Sequence, residues 1–363
     1  MPHQWVWADD RVVSMDFETS GLQPEFALQS WRILSGEAWA TSMVWVWPQD
    51  GRVMNGGGLV RDRLHARGMI NEFITHVLHY DIRVCGWNLA FDIGVLIAYG
   101  APIEKLRRVK WLDGYLLWRH LDVEPEYDDK GPRRSYSLKT YVRQRWPLQA
   151  GYEADVNFHD DSLEARVKLH RYNIQDCVFT LMGCKTLWNA LTPAQQRAAS
   201  IEADCLVHVA EANVRGMLVD TILAQDVVIK QSTIAAERLA SLAPFGVTEK
   251  IVRSPKQLAT LFFDTWGLPV QKNTATGNRS TDKEVMHELA FIDPRVKEVK
   301  EYREALNNVT KFAMNPIAAA RYNGDGRARP QAIVFGTYTG RMTYASKQTK
   351  KNPEEAEVAD ASD

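Results

Sequence analysis

Asp16 and Glu18 lie in VVSMDFETSG, Asp92 in WNLAFDIG, and Tyr172 and Asp176 in HRYNIQDCVFT. Each acid is embedded in an apolar stretch, where a charged side chain is costly unless it has a use. Asp16 and Glu18 are two apart in a strand-like run and so project to one face. Tyr172 and Asp176 are four apart in a helix-like run and share a face. Asp92 lies one helical turn beyond Asn88, which ends a short strand. A sheet edge and two helix faces can thus converge on one cleft, with the Thr19-Ser20-Gly21 strand end leaving access for a substrate.

The chemistry such a cleft suits is phosphodiester hydrolysis. That reaction needs an activated water, stabilisation of charge on the nonbridging oxygens and help for the departing 3′-oxygen, and two divalent ions about 4 Å apart supply all three. Hard ions favour oxygen donors, so Mg2+ is expected, with Mn2+ as a substitute. The His and Cys residues are too scattered for a zinc cluster. Without cations, four converging carboxylates repel one another and their pKa values rise. Singly, each residue has a plainer reading: Asp16 as a turn cap, Asp92 and Asp176 as solvated helix residues, Tyr172 as a packing aromatic. Order, spacing and apolar surroundings together favour the shared site.

The elements that must position these groups are legible in outline. Residues 12–18 and 38–47 read as strands, with a third at 52–54 after the Gln49–Gly51 turn. Residues 62–79 read as a helix, 83–88 as a short strand, and 89–100 as a helix closed by Gly100. Residues 135–146 and 161–191 are helical, with Thr192-Pro193 ending one helix or opening the next. This alternation predicts an α/β domain, a central sheet covered by helices. Beyond Pro193 the pattern becomes mainly helical: 194–215, 221–243, 254–267, 282–289 and 294–315, with a polar loop at 272–281. The expected domains are therefore 1–193, 194–350 and an acidic tail at 351–363.

Composition sets bounds. The 363 residues are 45% hydrophobic and 25% charged, with a formal net charge of -1. No long apolar run predicts a membrane span, and MPHQWVWADDRVV lacks an export signal, so a cytoplasmic setting without a membrane partner is expected. Cys85, Cys177, Cys184 and Cys205 form no CxxC pair and read as reduced thiols. Near-neutral charge leaves nucleic-acid binding to local potential. Arg327, Arg329, Arg341, Lys347, Lys350 and Lys351 concentrate positive charge before the acidic tail.

DFET, NLAFD and YNIQD resemble the three exonuclease motifs of the DEDD superfamily, and Tyr172 resembles its tyrosine subtype, associated with family A DNA polymerases. The resemblance implies an RNase H-like fold with a mixed central sheet and a proofreading 3′–5′ exonuclease. It implies that Asp16, Glu18 and Asp176 hold the tighter metal, that Asp16 with Asp92 through water serves the second, and that Tyr172 orients the attacking water. An ordinary phenol pKa of about 10 argues against Tyr172 as a free base. Thr19, Asn88 and Phe91 are the expected substrate contacts around this cleft, although core packing is the default for Phe91.

The second half resembles the same family. IEADCLVHVAEANVRGMLVD is similar to the helix leading from exonuclease to polymerase, SPKQLATLFFDTWGLPVQKNTATGNRSTDKEVMHELA and EYREALNNVTKF to a thumb-like region, and GRARPQAIVFGTYTGRMTYASKQ to the approach to the palm. This implies DNA partners: a single-stranded or frayed 3′ end and a primer–template duplex. Arg279 of the loop, Arg341 of TYTGR and Lys347 are the expected phosphate contacts. No palm or fingers motif follows, so a complete polymerase site is not expected within these residues. A truncated or split polymerase would account for that. The alternative is a noncatalytic DNA-binding or scaffolding subunit for a separate palm and fingers polypeptide.

Overall fold

The computed structural model describes residues 11–19, 40–49, 52–122, 135–152, 154, 156, 162–274, 277–330, 332–336 and 340–344. It divides into two compact units, one built from the segments before Met217 and after Ala328, the other Met217–Ala328. The change of pattern in the sequence predicts a boundary at 193/194, whereas the units divide at 216/217 and 328/329.

In the first unit, β1 (Val12–Thr19), β2 (Ala40–Gln49), β3 (Arg52–Leu59), β4 (Arg83–Gly86) and β5 (Lys110–Asp113) form a sheet ordered β3-β2-β1-β4-β5. The β1–β2 and β2–β3 pairs are antiparallel, while β4 runs parallel to both β1 and β5, so the sheet is mixed. β1 is central because both of its faces are apolar enough to be covered. Val13, Met15 and Phe17 enter one core with Met43, and Val12 enters another with Val44, Val46 and Cys177. Strand alternation therefore sets Ser14, Asp16 and Glu18 on the Val12 face. β3 runs to Leu59, five residues beyond the expected Met54, because Gly56-Gly57-Gly58 weakens the strand signal. A Cβ at Gly56 would fall 2.2 Å from the Trp45 indole, so the bare backbone there is what Trp45 lies against.

The helices are α1 (Arg63–His79), α2 (Ala90–Ala98), α3 (Ile103–Leu106), α4 (Gly114–Leu121), α5 (Leu138–Arg145), α6 (Leu163–Ala190) and α7 (Pro193–Arg215). Their starts follow local chemistry: Asp62, Ser137 and Ser162 each accept a backbone N–H in the first turn. Thr192 and Gln195 make a reciprocal capping box, with Pro193 at the first helical position. α7, expected with the helical half, belongs to the α/β unit: its Ala203, Leu206, Val207 and Ala210 join the Met15 core. So do Ala332, Val334 and Phe335 from far along the chain. Asn213 explains that return, since its side chain accepts from the Ala332 N–H at 2.9 Å and donates to the Ala332 carbonyl at 3.2 Å. β8 (Ala332–Ile333) pairs with β9 (Thr343–Tyr344) beside this anchor.

The second unit pairs short β6 (Met217–Leu218) with β7 (Arg327–Ala328) and is otherwise helical: α8 (Thr221–Leu242), α9 (Glu249–Arg253), α10 (Pro255–Ala259), α11 (Lys283–Ile292), α12 (Pro294–Asn308) and α13 (Asn315–Asn323). The continuous helices expected at 254–267 and 294–315 are interrupted. Wider π-type turns occupy Thr260–Thr265 and Val309–Met314. Its core joins Leu242, Phe262, Leu289, Val296, Val299 and Tyr302. Among the described residues, no helix is long and apolar enough to cross a membrane. The acidic tail lies outside the described residues.

Candidate metal centre

α6 crosses the Val12 face of the sheet, and small polar residues let it approach closely. Ser14 Oγ donates to the Cys177 carbonyl at 2.6 Å, and Asn173 Nδ2 donates to Ser42 Oγ at 3.3 Å. Ser42 Oγ also shares a 2.8 Å hydrogen bond with His170 Nδ1. Asn173 and Cys177, four apart and fully buried, are the residues of α6 turned to the sheet. That docking carries Tyr172 and Asp176 to the end of β1 where Asp16 and Glu18 project.

Oxygens of Asp16, Glu18 and Asp176 lie within 4.8 Å of one another. Glu18 is 5% exposed, and the other two are half-buried. Burial raises the Asp16 and Glu18 carboxyls well above the usual carboxylate range, and repulsion adds to it: Asp92, Glu18 and Asp176 act on Asp16, and Asp176 and Asp92 on Glu18. Lys139 of α5 opposes the shift at both. A hard divalent cation is the natural partner for three carboxylates held this close, because it replaces repulsion with coordination.

Asp92 stands outside that trio. It is buried, its carboxyl is raised chiefly by burial, and Oδ1 accepts from the Phe17 N–H at 3.1 Å, between the two β1 acids. Tyr172 is 5% exposed and hydrogen-bonded to Asp176. Burial and then the charges of Asp176 and Glu18 push its phenol far above the ordinary value. Lys139 Nζ lies 5.2 Å from its ring centre.

The remaining expected contacts are dispersed. Thr19 is buried at a register irregularity that follows Glu18. Asn88 is exposed and left-handed, with φ 62°, and Phe91 packs against the core. Arg279, in the second unit, is held by Asp264 through two bonds of 2.5 and 2.7 Å and stacks on Phe263. Arg341 is exposed, whereas Lys347 lies outside the described residues.

Two supporting groups escaped the sequence reading. Asp113, ending β5, accepts from the N–H groups of Asn88, Leu89 and Tyr115, each at 2.9 Å. It thereby fixes the turn that launches α2 and Asp92, for α2 has no side-chain cap of its own. Burial raises its carboxyl to about 6 despite those donors. Tyr152 stacks on Tyr172, with ring centres 5.6 Å apart and planes 19° apart, and donates a hydrogen bond to Asp176. A four-residue strand and a single tyrosine after a turn carry no periodic signal. A separate cavity of about 760 Å3 opens on the Trp45 face of the sheet, lined by Trp45, Phe73, His76 and Tyr80. It contains none of the clustered acids.

A model of DNA polymerase family A matches residues 226–353. DNA polymerase I of Lactococcus lactis strain MG1363 is 31% identical over 121 residues, covering 32% of this chain and 14% of that protein. DNA polymerase I of Pseudomonas aeruginosa is 34% identical over 138 residues, covering 36% of this chain and 15% of that protein. The POL domain of Pol1 from M. smegmatis, solved in complex with DNA primer-template and dNTP, superposes with a TM-score of 0.62 at 16% identity, over 92% of this chain and 50% of that one. Residues 226–353 are thus similar to the family A DNA polymerases, and the mixed-sheet α/β domain followed by a mainly helical region shares the fold of that POL domain.

Proposed function

We propose that the α/β unit is a metal-dependent 3′–5′ DNA exonuclease of the tyrosine type, releasing nucleoside monophosphates as the proofreading part of a family A polymerase. The observation that carries this reading is the close-set Asp16–Glu18–Asp176 trio with Tyr172 hydrogen-bonded to one of its members. These carboxylates would hold a divalent cation, Mg2+ by preference or Mn2+, with Asp92 serving a second through water. When bound, such ions supply Lewis-acid stabilisation and an acidified water. Tyr172, kept neutral, aligns the attacking water by hydrogen bonding without taking its proton. Lys139, near both β1 acids, lends positive potential for a scissile phosphate.

Hydrolysis is then assigned to the α/β unit, and duplex holding to the helical unit Met217–Ala328 together with the basic segment after it. Arg279, Arg341 and Lys347 are the proposed phosphate contacts, and a frayed 3′ end and a primer–template duplex the proposed partners. Mismatched ends fray most readily, so selectivity needs only a cleft that admits single strands. The test is release of single nucleotides from a primer labelled at its 3′ end in Mg2+. Cleavage of single-stranded or mismatched ends should outpace that of matched duplex below saturation. Activity surviving Asp16→Ala combined with Asp176→Ala would sink the reading.

A further inference from the structure

We infer that Tyr152 is a positioning residue that presents Asp176 to the cation, an inference resting on the metal-centre reading above. Three contacts converge on this one side chain. Its hydroxyl donates to Asp176 Oδ1, its ring stacks on Tyr172, and the same ring meets Phe179 at a tilt, with 4.9 Å between ring centres. Phe179 in turn stacks on Trp146 at 5.8 Å, so the tyrosine is braced by a wall fixed on α5 and α6.

Local sequence aims it there. The Pro147–Gln149 turn ends α5's run, and Gly151 at φ 82° reverses the backbone immediately before Tyr152, a conformation disfavoured for side chains bearing a Cβ. One residue therefore sets two members of the site together: the rotamer of Asp176 through the hydroxyl and the plane of Tyr172 through the stack. Partners of this kind, bonded to a metal ligand without touching the metal, typically govern about 10–100-fold of metal affinity.

The two roles separate chemically. Tyr152→Phe removes the hydroxyl and keeps the ring, so a packing role alone predicts no change. Mn2+ binding, followed by the electron paramagnetic resonance of the free ion, reads the site without relying on cleavage. Y152F is expected to weaken Mn2+ binding by about tenfold, with an unchanged metal-free melting temperature. In cleavage assays it should raise the Mg2+ concentration needed for half-maximal rate, leaving KM for a single-stranded oligonucleotide and the rate at saturating Mg2+ near wild type. Y152A should weaken Mn2+ binding further and lower kcat even at saturating Mg2+. Mn2+ affinity of Y152F within twofold of wild type, or above it, overturns the inference alone. Failure of the wild-type chain to bind Mn2+, or binding retained in D16A/D176A, overturns the metal centre and the inference with it.

Discussion

The two units use the same acidic residues in opposite ways. In the helical unit each conspicuous carboxylate has its cation. Asp264 meets Arg279, Asp282 meets Lys272 at 3.1 Å, Asp293 meets Arg295 at 2.6 Å, and Arg238 bridges Glu298 and Glu301. Their titration follows. Asp282 is lowered to about 2, first by the Val285 N–H, and Asp264 and Asp293 are lowered by their arginines. In the α/β unit Asp16, Glu18 and Asp92 lie near one another, largely withdrawn from solvent, and all are raised. Paired surface charge is ordinary and worth little, whereas buried like charge persists only where something outside the chain resolves it. That difference points to a functional site more sharply than the count of acids does.

The largest expected effect tests the frustrated side. D16A combined with D176A should cut nucleotide release by about 10^3-fold or more, measured in Mg2+ on a single-stranded primer, since it removes cation ligands and transition-state charge stabilisation together.

The pH dependence should follow from the same repulsion. A carboxyl whose folded pKa exceeds its unfolded value contributes stability that is present below the unfolded value and is lost as pH rises through the folded one. Raised Asp16, Glu18 and Asp92 therefore predict that the metal-free protein melts at progressively lower temperature as pH climbs above the usual carboxylate range. Mg2+ should flatten that decline. A melting temperature indifferent to Mg2+ at pH 8 would contradict it.

Asp113 sharpens the contrast within one unit, being a buried acid answered by backbone N–H groups rather than by other acids. Asp113→Ala should cost about 1–3 kcal/mol in denaturant unfolding by orphaning those donors. Asp16→Ala in metal-free protein should leave stability unchanged or raised, because it deletes repulsion. The smallest effect belongs to the paired side: Asp264→Ala should leave the melting temperature near wild type, as an exposed pair contributes little.

Much of the scaffold was open to local reading. Spacing of two put Asp16 and Glu18 on one strand face, and Thr192-Pro193 marked a helix boundary that the structure closes with a capping box. What escaped was either short or distant. β5 has four residues, too few to show alternation, and with it went Asp113. The π-type turns inside two expected helices have no sequence signature distinct from α-helix. The pairing of Arg279 with Asp264, fifteen residues away, likewise left no local signal.

By itself, then, the sequence determined which residues could share a face, where most helices begin, and that four acids sat in surroundings ill-suited to charge. Those properties depend on a few neighbouring residues. Only the tertiary structure decided that Asp16, Glu18 and Asp176 close to within 4.8 Å while Asp92 bonds to β1, that Tyr152 braces two of the site's residues, and that the segment beginning at Arg329 returns to α7. Each of these depends on strand order and on hydrogen bonds between residues far apart in the chain. Periodicity fixes the direction of a side chain along its own element, but packing chooses which other element that side chain meets.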